Sequence, residues 1–277
     1  LASIVTADGV DPLRARGILD AETDAERLEI TRQTQENIHY DNAIWLTEER
    51  PRRLASRRTS LIVDPPNGRI PPLTPEAQQR EAERRNASRW LVYNISPQSF
   101  DSYQTRTLQE RCLVWRHEGP PMLPASYNDL LQIFQTEDYV VIMQEMGNNA
   151  PRIVPLDGRP HLQSTIRQWP GDSRGHWDGD TLVIETKNFT NESSFLGSGI
   201  RMLLVERVTR VSADTLVYEY TIHDADSFAR SWSVAVPMQK NDQPLFEYAC
   251  HEGNYGMWNL MVSARAEDAK AAVAAGR

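Results

Sequence analysis

The stretch GDSRGHWDGDTLVIETKNF, Gly171 to Phe189, decides how this chain is read. It gathers a Gly-Asp-Ser, a histidine, a tryptophan and several carboxylates, which invites a catalytic or metal-loop reading. A second copy argues otherwise. GDTLVIET (179–186) aligns with ADTLVYEY (213–220), so Asp180, Thr181, Leu182, Val183 and Glu185 coincide with Asp214, Thr215, Leu216, Val217 and Glu219. EDYVVIMQ (137–144) is a looser third copy. A catalytic constellation seldom occurs twice in one chain, whereas a hairpin often does. Each Asp is expected to close a tight turn by accepting backbone N–H bonds before the next strand enters its sheet. Asp178-Gly179 is itself a hairpin signal. Trp177-Asp178-Gly179-Asp180 therefore reads as structure.

The rest of the stretch tests poorly as chemistry. Gly171-Asp172-Ser173 has neither the incoming apolar strand nor the following helix of a nucleophile elbow. Asp172, Asp178, Asp180 and Glu185 lack the ligand spacing of an EF-hand loop, which leaves Asp178 and Asp180 as a minor candidate cation pair. Asp172, Ser173, Arg174 and His176 precede the repeat and stay open as the rim of a pocket built elsewhere.

Working outward, strands follow one another after residue 108. LLQIFQT (130–136), YVVIMQEM (139–146), RIVPL (152–156), TLVIETKNF (181–189), RMLLVERVTRV (201–211), TLVYEYTIH (215–223), SWSVAVPM (231–238) and LFEYAC (245–250) are rich in β-branched and aromatic residues. Turn residues such as Gly147-Asn148-Asn149 and Asp157-Gly158 separate them. The connections are too short for crossover helices, so neighbours should be antiparallel. The expected fold is mainly β: an antiparallel meander closing into a calycin-like barrel or a curled sandwich. A short C-terminal helix is expected over Ala264 to Ala275.

Before residue 108 the pattern is helical and irregular. Asp24 to Ile38 has helix-forming composition. Thr74-Pro75-Glu76 is a helix start, with Thr as N-cap and Pro at the first helical position, and the helix should run to about Trp90. Between them Ser60 to Pro75 holds Pro65, Pro66, Pro71, Pro72 and Pro75, which demands extended or turning backbone. We read 1–107 as a partly helical, Pro-rich arm packing on a β-rich domain, 108–277.

The bulk numbers narrow the class of partner. The 277 residues are 40% hydrophobic and 25% charged, ordinary values for a globular protein, and the formal net charge is −8. That balance disfavours nucleic acid as a partner, because phosphates need a Lys/Arg excess. The densest basic run, Arg50 to Arg58, is broken by Pro51 and Leu54 and reads as a solvated or internally paired segment. No apolar run approaches the roughly 18 residues of a membrane span. The chain begins at Leu1, so removal of an upstream segment, and with it export to the periplasm or medium, is expected. Cys112 and Cys250 form no C-x-x-C. Two reduced thiols, or one disulfide closing a very long loop and adding roughly 4–5 kcal/mol, both fit.

Polar residues among strand residues mark the candidate site. In RMLLVERVTRV both faces carry charge among apolar residues, so Glu206 or Arg207 should face the interior and need a partner. Tyr220, Trp232, Tyr248, Tyr255 and His176 read either as core aromatics or as the lining of a ligand cavity. LDGRPH supplies Asp157, Arg159 and His161; EYACHEGNYG supplies Glu247, Tyr248, His251, Glu252 and Tyr255. Histidine beside carboxylates is the usual assembly for acid–base chemistry. No H-x-H or H-E-x-x-H spacing supports a zinc site.

RTSLIVDPPNGRIPPLTPE (58–76), YVVIMQEM (139–146), PLDGRPH (155–161), QWPGDSRGHWDGDTLVIETKNF (168–189), LVERVTR (204–210) and FEYACHEGNYG (246–256) resemble blocks of a large family of bacterial hypothetical proteins. The resemblance extends over nearly the whole chain beyond about residue 40. It carries no activity and no catalytic residues. Members are commonly predicted to be exported, so the resemblance implies export and favours the disulfide. Where the family has Arg or Lys and Trp-Glu-Gly-Asp, this chain has His176 and Trp177-Asp178-Gly179-Asp180.

The functional expectation is an exported protein that binds a small, partly aromatic molecule. It would act as a cofactor-independent lyase, isomerase or hydrolase. His251 or His161 is the candidate base, Glu247 or Glu252 the orienting carboxylate, and Arg159 or Arg207 the cation holding an anionic or carbonyl oxygen. The rivals are a non-catalytic carrier, or an assembly protein forming homo-oligomers through its N-terminal arm.

Overall fold

The computed structural model describes residues 58–86, 100–115, 118–124, 129–145, 151–192, 195–252 and 254–276. Its elements in order are β1 (Ile62–Asp64), α1 (Pro75–Asn86), a 3-10 turn (Tyr103–Thr105), β2 (Leu131–Gln135), β3 (Tyr139–Gln144), β4 (Arg152–Pro155), β5 (Asp172–Asp178), β6 (Thr181–Lys187), β7 (Leu203–Ser212), β8 (Thr215–His223), β9 (Trp232–Gln239) and α2 (Tyr255–Ala274). The expected helix at Asp24 to Ile38, the basic residues up to Arg57 and the turn at Gly147-Asn148-Asn149 lie outside the described residues.

All three copies of the repeated motif open the second strand of a hairpin: β2–β3, β5–β6 and β7–β8. In the β5–β6 hairpin Asp178 pairs with Thr181, so Gly179 and Asp180 form the loop. Gly179 takes φ +57 while Asp180 stays out of the left-handed region. That is the II′ pattern, whose twist matches the flanking strands. The expected role is corrected for Asp214, which acts through its carbonyl, accepting from the Lys240 N–H (2.8 Å). The Asp178 carboxylate beside the first turn accepts from Arg207 on β7 (2.7 Å).

Every strand pair is antiparallel, and the strands form two sheets, ordered β1-β9-β8-β7-β6-β5 and β2-β3-β4. No ladder joins β4 to β5, so the described strands form no closed barrel. Both sheets nevertheless bury side chains in one core. Val140, Ile142 and Val154 of the small sheet join Ile184, Leu204, Tyr218 and Trp232 of the large one. Gly175 on β5 makes the approach possible: a Cβ there would stand 2.8 Å from Leu156 Cδ2 and 2.8 Å from Val154 Cγ1.

Strand alternation decides which residues face that core. On β7, Leu204, Glu206 and Val208 are buried; on β8, Tyr218, Tyr220 and Ile222 are. On β9 the buried residues include Trp232, Val234 and Val236.

Two parts of the sequence reading are corrected. DSRGHWD forms β5, although its Gly, Ser and charged residues are poor strand formers; seven paired positions with β6 override that propensity. LFEYAC forms no strand. Its apolar and aromatic residues serve as anchors instead: Tyr248 stacks edge-on against Trp115 at 5.4 Å, and Cys250 is bonded to Cys112. Ala249 there has φ +48, which strand geometry does not accommodate.

Thr74 caps α1 as expected, its Oγ1 accepting from the Ala77 N–H at 3.2 Å. The proline-rich segment before it runs along the large sheet. β1 pairs with β9, and Leu73 bridges to Phe228. The C-terminal helix begins nine residues earlier than expected, at Tyr255, because Asn254 caps it by accepting from the Met257 N–H (3.1 Å). Among the described residues no helix is long and apolar enough to cross a membrane.

Candidate functional site

Two polar clusters sit back to back on β5, because consecutive residues of a strand face opposite ways. The first lies inside the core. Arg152 on β4 donates through Nη1 to Glu206 Oε1 on β7 (2.8 Å) and through Nη2 to Glu206 Oε2. Its Nε donates to Ser173 Oγ on β5 (3.0 Å) and Nη2 also to Thr186 Oγ1 on β6 (2.7 Å). Ser173 and Thr186, directly paired across the ladder, share a hydrogen bond of 2.9 Å. Tyr218 on β8 donates to Glu206 Oε1 (2.8 Å) and accepts from the Met122 N–H (3.0 Å).

Glu206 is thus the interior charge anticipated on β7, fully buried, and Arg152 is the partner that sequence reasoning missed. Burial first, and the Glu206 charge second, hold the Tyr218 hydroxyl well above its ordinary pKa, so it serves as a donor. The cluster is saturated: both Glu206 oxygens and all three Arg152 nitrogens have partners. Such a cluster suits holding two sheets in register rather than meeting a substrate.

The second cluster faces away from that core. Asp172 Oδ2 accepts from His161 Nδ1 (2.9 Å) and from the Leu162 N–H (2.9 Å), while Oδ1 accepts from Arg174 Nη1 (2.6 Å). Arg174 Nε also donates to the Pro160 carbonyl (3.1 Å), and Asn188 Nδ2 donates to the Leu162 carbonyl (3.0 Å). These bonds lash the segment before β5 across its outer face. A carboxylate only accepts, so His161 Nδ1 carries the hydrogen and Nε2 of the neutral ring keeps its lone pair. Nε2 is buried and has no hydrogen-bond partner among the described residues. Asp172 thus fixes the ring through Nδ1, while Nε2 lies covered by protein without a partner among the described residues.

The remaining candidates are spread over the surface and the core. Arg159 is exposed and held by Asp157, whose pKa its hydrogen bonds draw down to about 2. Arg207 is half-buried on the outer face, paired with Asp178. Glu247, His251, Glu252, Tyr255 and His176 are exposed, and among the described residues no hydrogen bond or ion pair joins Glu247, His251 and Arg207. Tyr248 sits against Trp115. Tyr220 and Trp232 are buried and pack against each other and Phe195 with ring centroids 6.2 Å apart.

Asp172 is the carboxylate that the sequence placed near the site without giving it a partner. Its signal was an acid flanked by Gly171 and Ser173 within reach of the LDGRPH histidine. Among the described residues no group of three or more His, Cys, Asp or Glu side chains is placed to hold a metal ion. Cys112 and Cys250 form a disulfide with Cα atoms 5.8 Å apart, which fits an oxidising compartment rather than a reducing cytosol. Comparison with known proteins finds no matching family profile, curated protein or solved structure.

Proposed function

We propose that this is an exported, cofactor-independent acid–base enzyme acting on a small, partly aromatic carbonyl compound, with His161 as the base. The supporting observation is the 2.9 Å bond from His161 Nδ1 to Asp172, which leaves Nε2 without a protein partner. Nε2, covered at rest, takes a proton from the carbon beside the carbonyl once its cover opens. The Asp172 carboxylate steadies the imidazolium so formed. Arg174, already beside Asp172, supplies the cation for the developing oxyanion. The imidazolium then returns its proton to another substrate atom, as in an isomerase, or to a leaving group, as in a lyase. In this reading Asp172 replaces Glu247 and Glu252 as the orienting carboxylate, and Arg174 replaces Arg159 and Arg207.

The shared core of the two sheets supports reading them as one curled, calycin-like sandwich that presents this cluster at its rim. The assembly rival is less well supported, because β1 spends the proline-rich segment on its own sheet. The test is exchange of the acetophenone methyl hydrogens in heavy water, followed by NMR. We expect exchange above the buffer rate, a loss of 100-fold or more in His161→Gln, and an intermediate rate in Asp172→Asn. These follow from the roughly 10²–10⁴-fold contribution of a positioned base. Equal rates for the wild type and His161→Gln would remove His161 from the role.

A further inference from the structure

Helix α2 carries an apolar stripe that the rest of the described protein leaves open. No residue of its 20 is buried. Met257, Met261 and Ala264 are half-buried and turn toward the body, and Arg265 donates to the Phe100 carbonyl at 3.2 Å. Beside that inner side, Tyr255, Trp258, Val262, Ala266, Ala269 and Val273 recur at steps of three or four residues, so they share one narrow face along the helix. Tyr255 is 74% exposed, Trp258 69%, Val262 48% and Val273 78%. An exposed apolar stripe with two aromatic rings is unusual for a helix that rests on its own domain.

We propose that this stripe is the contact between two copies of the chain, packed antiparallel about a twofold axis near the middle of α2. The stripe is complementary to itself when reversed. An antiparallel partner brings Tyr255 opposite the partner's Val273, Trp258 over the partner's Ala269 and Val262 against the partner's Ala266. Bulky residues at one end thus meet small ones from the other, which lets the axes approach closely. The stripe contains no charged residue, so pairing buries none. The charges elsewhere on α2 pair within the helix, Arg265 with Asp268 at 3.2 Å and Lys270 with Glu267 at 2.7 Å.

The area is sufficient. The four large side chains expose on the order of 500 Å² per chain, so a symmetric pair can remove up to about 1,000 Å² through them, the threshold of a specific interface, before flanking residues are counted. Such a contact gives a dimer with a dissociation constant in the micromolar range. The anchor of α2 also gives the contact a fixed direction. Asn254 caps the helix and donates to the Glu110 carbonyl (3.0 Å) and to Cys112 Sγ (3.3 Å), fastening its first turn beside the disulfide.

The test is sedimentation equilibrium of the full oxidised chain, beside the variants Ala266→Glu and Ser263→Glu. Ala266→Glu puts a carboxylate in the middle of the stripe; Ser263→Glu puts one on the exposed flank of the same helix. Helical circular dichroism checks that both fold. We expect a reversible wild-type dimer, at least a tenfold weaker one for Ala266→Glu, and no change for Ser263→Glu. A wild-type monomer with Trp258 shielded from iodide quenching would mean that another part of the chain covers the stripe, and would overturn the proposal. So would a wild-type monomer with Trp258 freely quenched, or a dimer that Ala266→Glu leaves intact.

Discussion

Arg152 on β4 grips both carboxylate oxygens of Glu206 on β7, joining the small sheet to the middle of the large one. A buried pair of this kind is valuable chiefly because each charge would be costly alone. Replacing Glu206 by Gln leaves the Arg152 guanidinium facing a neutral amide, and should cost about 3–5 kcal/mol in denaturant unfolding. The double replacement Arg152→Met with Glu206→Leu should cost less than the single one, because neither charge remains. Tyr218→Phe removes one bond to Glu206 and the acceptor for the Met122 N–H, for about 1–3 kcal/mol.

Three glycines separate crowding from backbone strain. Gly175→Ala should cost about 1–3 kcal/mol by overpacking against Leu156 and Val154. Gly171→Ala should cost more, since its φ is +73 and a Cβ would stand 2.7 Å from Thr186 Cγ2 and 2.9 Å from the Lys187 carbonyl. Gly179→Ala meets open space and carries only the strain of φ +57, about 1 kcal/mol. Thermal unfolding of the three variants gives the order directly.

The disulfide ties the segment before α2 to the turn at 107–113. Thiol titration of the denatured, unreduced protein should find no reactive thiol, and two should appear after reduction. The Cys112→Ser, Cys250→Ser double variant should lose about 2–5 kcal/mol. Its faster hydrogen exchange should concentrate in residues 244–254. Uniform exchange across both sheets would contradict a clasp confined to that end.

Asp157 gives a pH signature. Its folded pKa is depressed to about 2 by the Arg159 hydrogen bonds, below the ordinary 3.8. A depressed acid stabilises the fold above its unfolded pKa and loses that contribution as pH falls through the folded value. The Asp157–Arg159 contribution is therefore present above about pH 4 and gone near pH 2. NMR titration of the Asp157 carboxyl should show the low midpoint in the wild type and an ordinary one in Arg159→Ala.

How far the sequence carried the reading follows from range. Hairpins are local: Asp178-Gly179 and the repeated "DTLV" put turn chemistry and strand alternation within a few residues of each other. The same alternation placed Glu206 or Arg207 inside, and Glu206 is the buried one. Its partner was invisible because Arg152 lies 54 residues away in a strand read only for its Ile and Val. β5 was missed because pairing, not propensity, makes it a strand. LFEYAC has strand composition without being a strand because aromatic residues anchor loops as readily as they fill strands. The His161–Asp172 contact was half legible: both residues stand in singled-out blocks, and only the folding of the segment at Pro160–Leu162 back across β5 brings them together.

The most direct measurement for the acid–base reading is site-resolved acylation by diethyl pyrocarbonate near neutral pH. Exposed His176, His223 and His251 serve as internal standards. His161 should react more slowly than these, because Nε2 is covered, and Arg174→Ala should accelerate it by freeing the Pro160 carbonyl. A His161 that stays unmodified in both proteins while the three standards react to completion would contradict the account and leave its imidazole a structural clip.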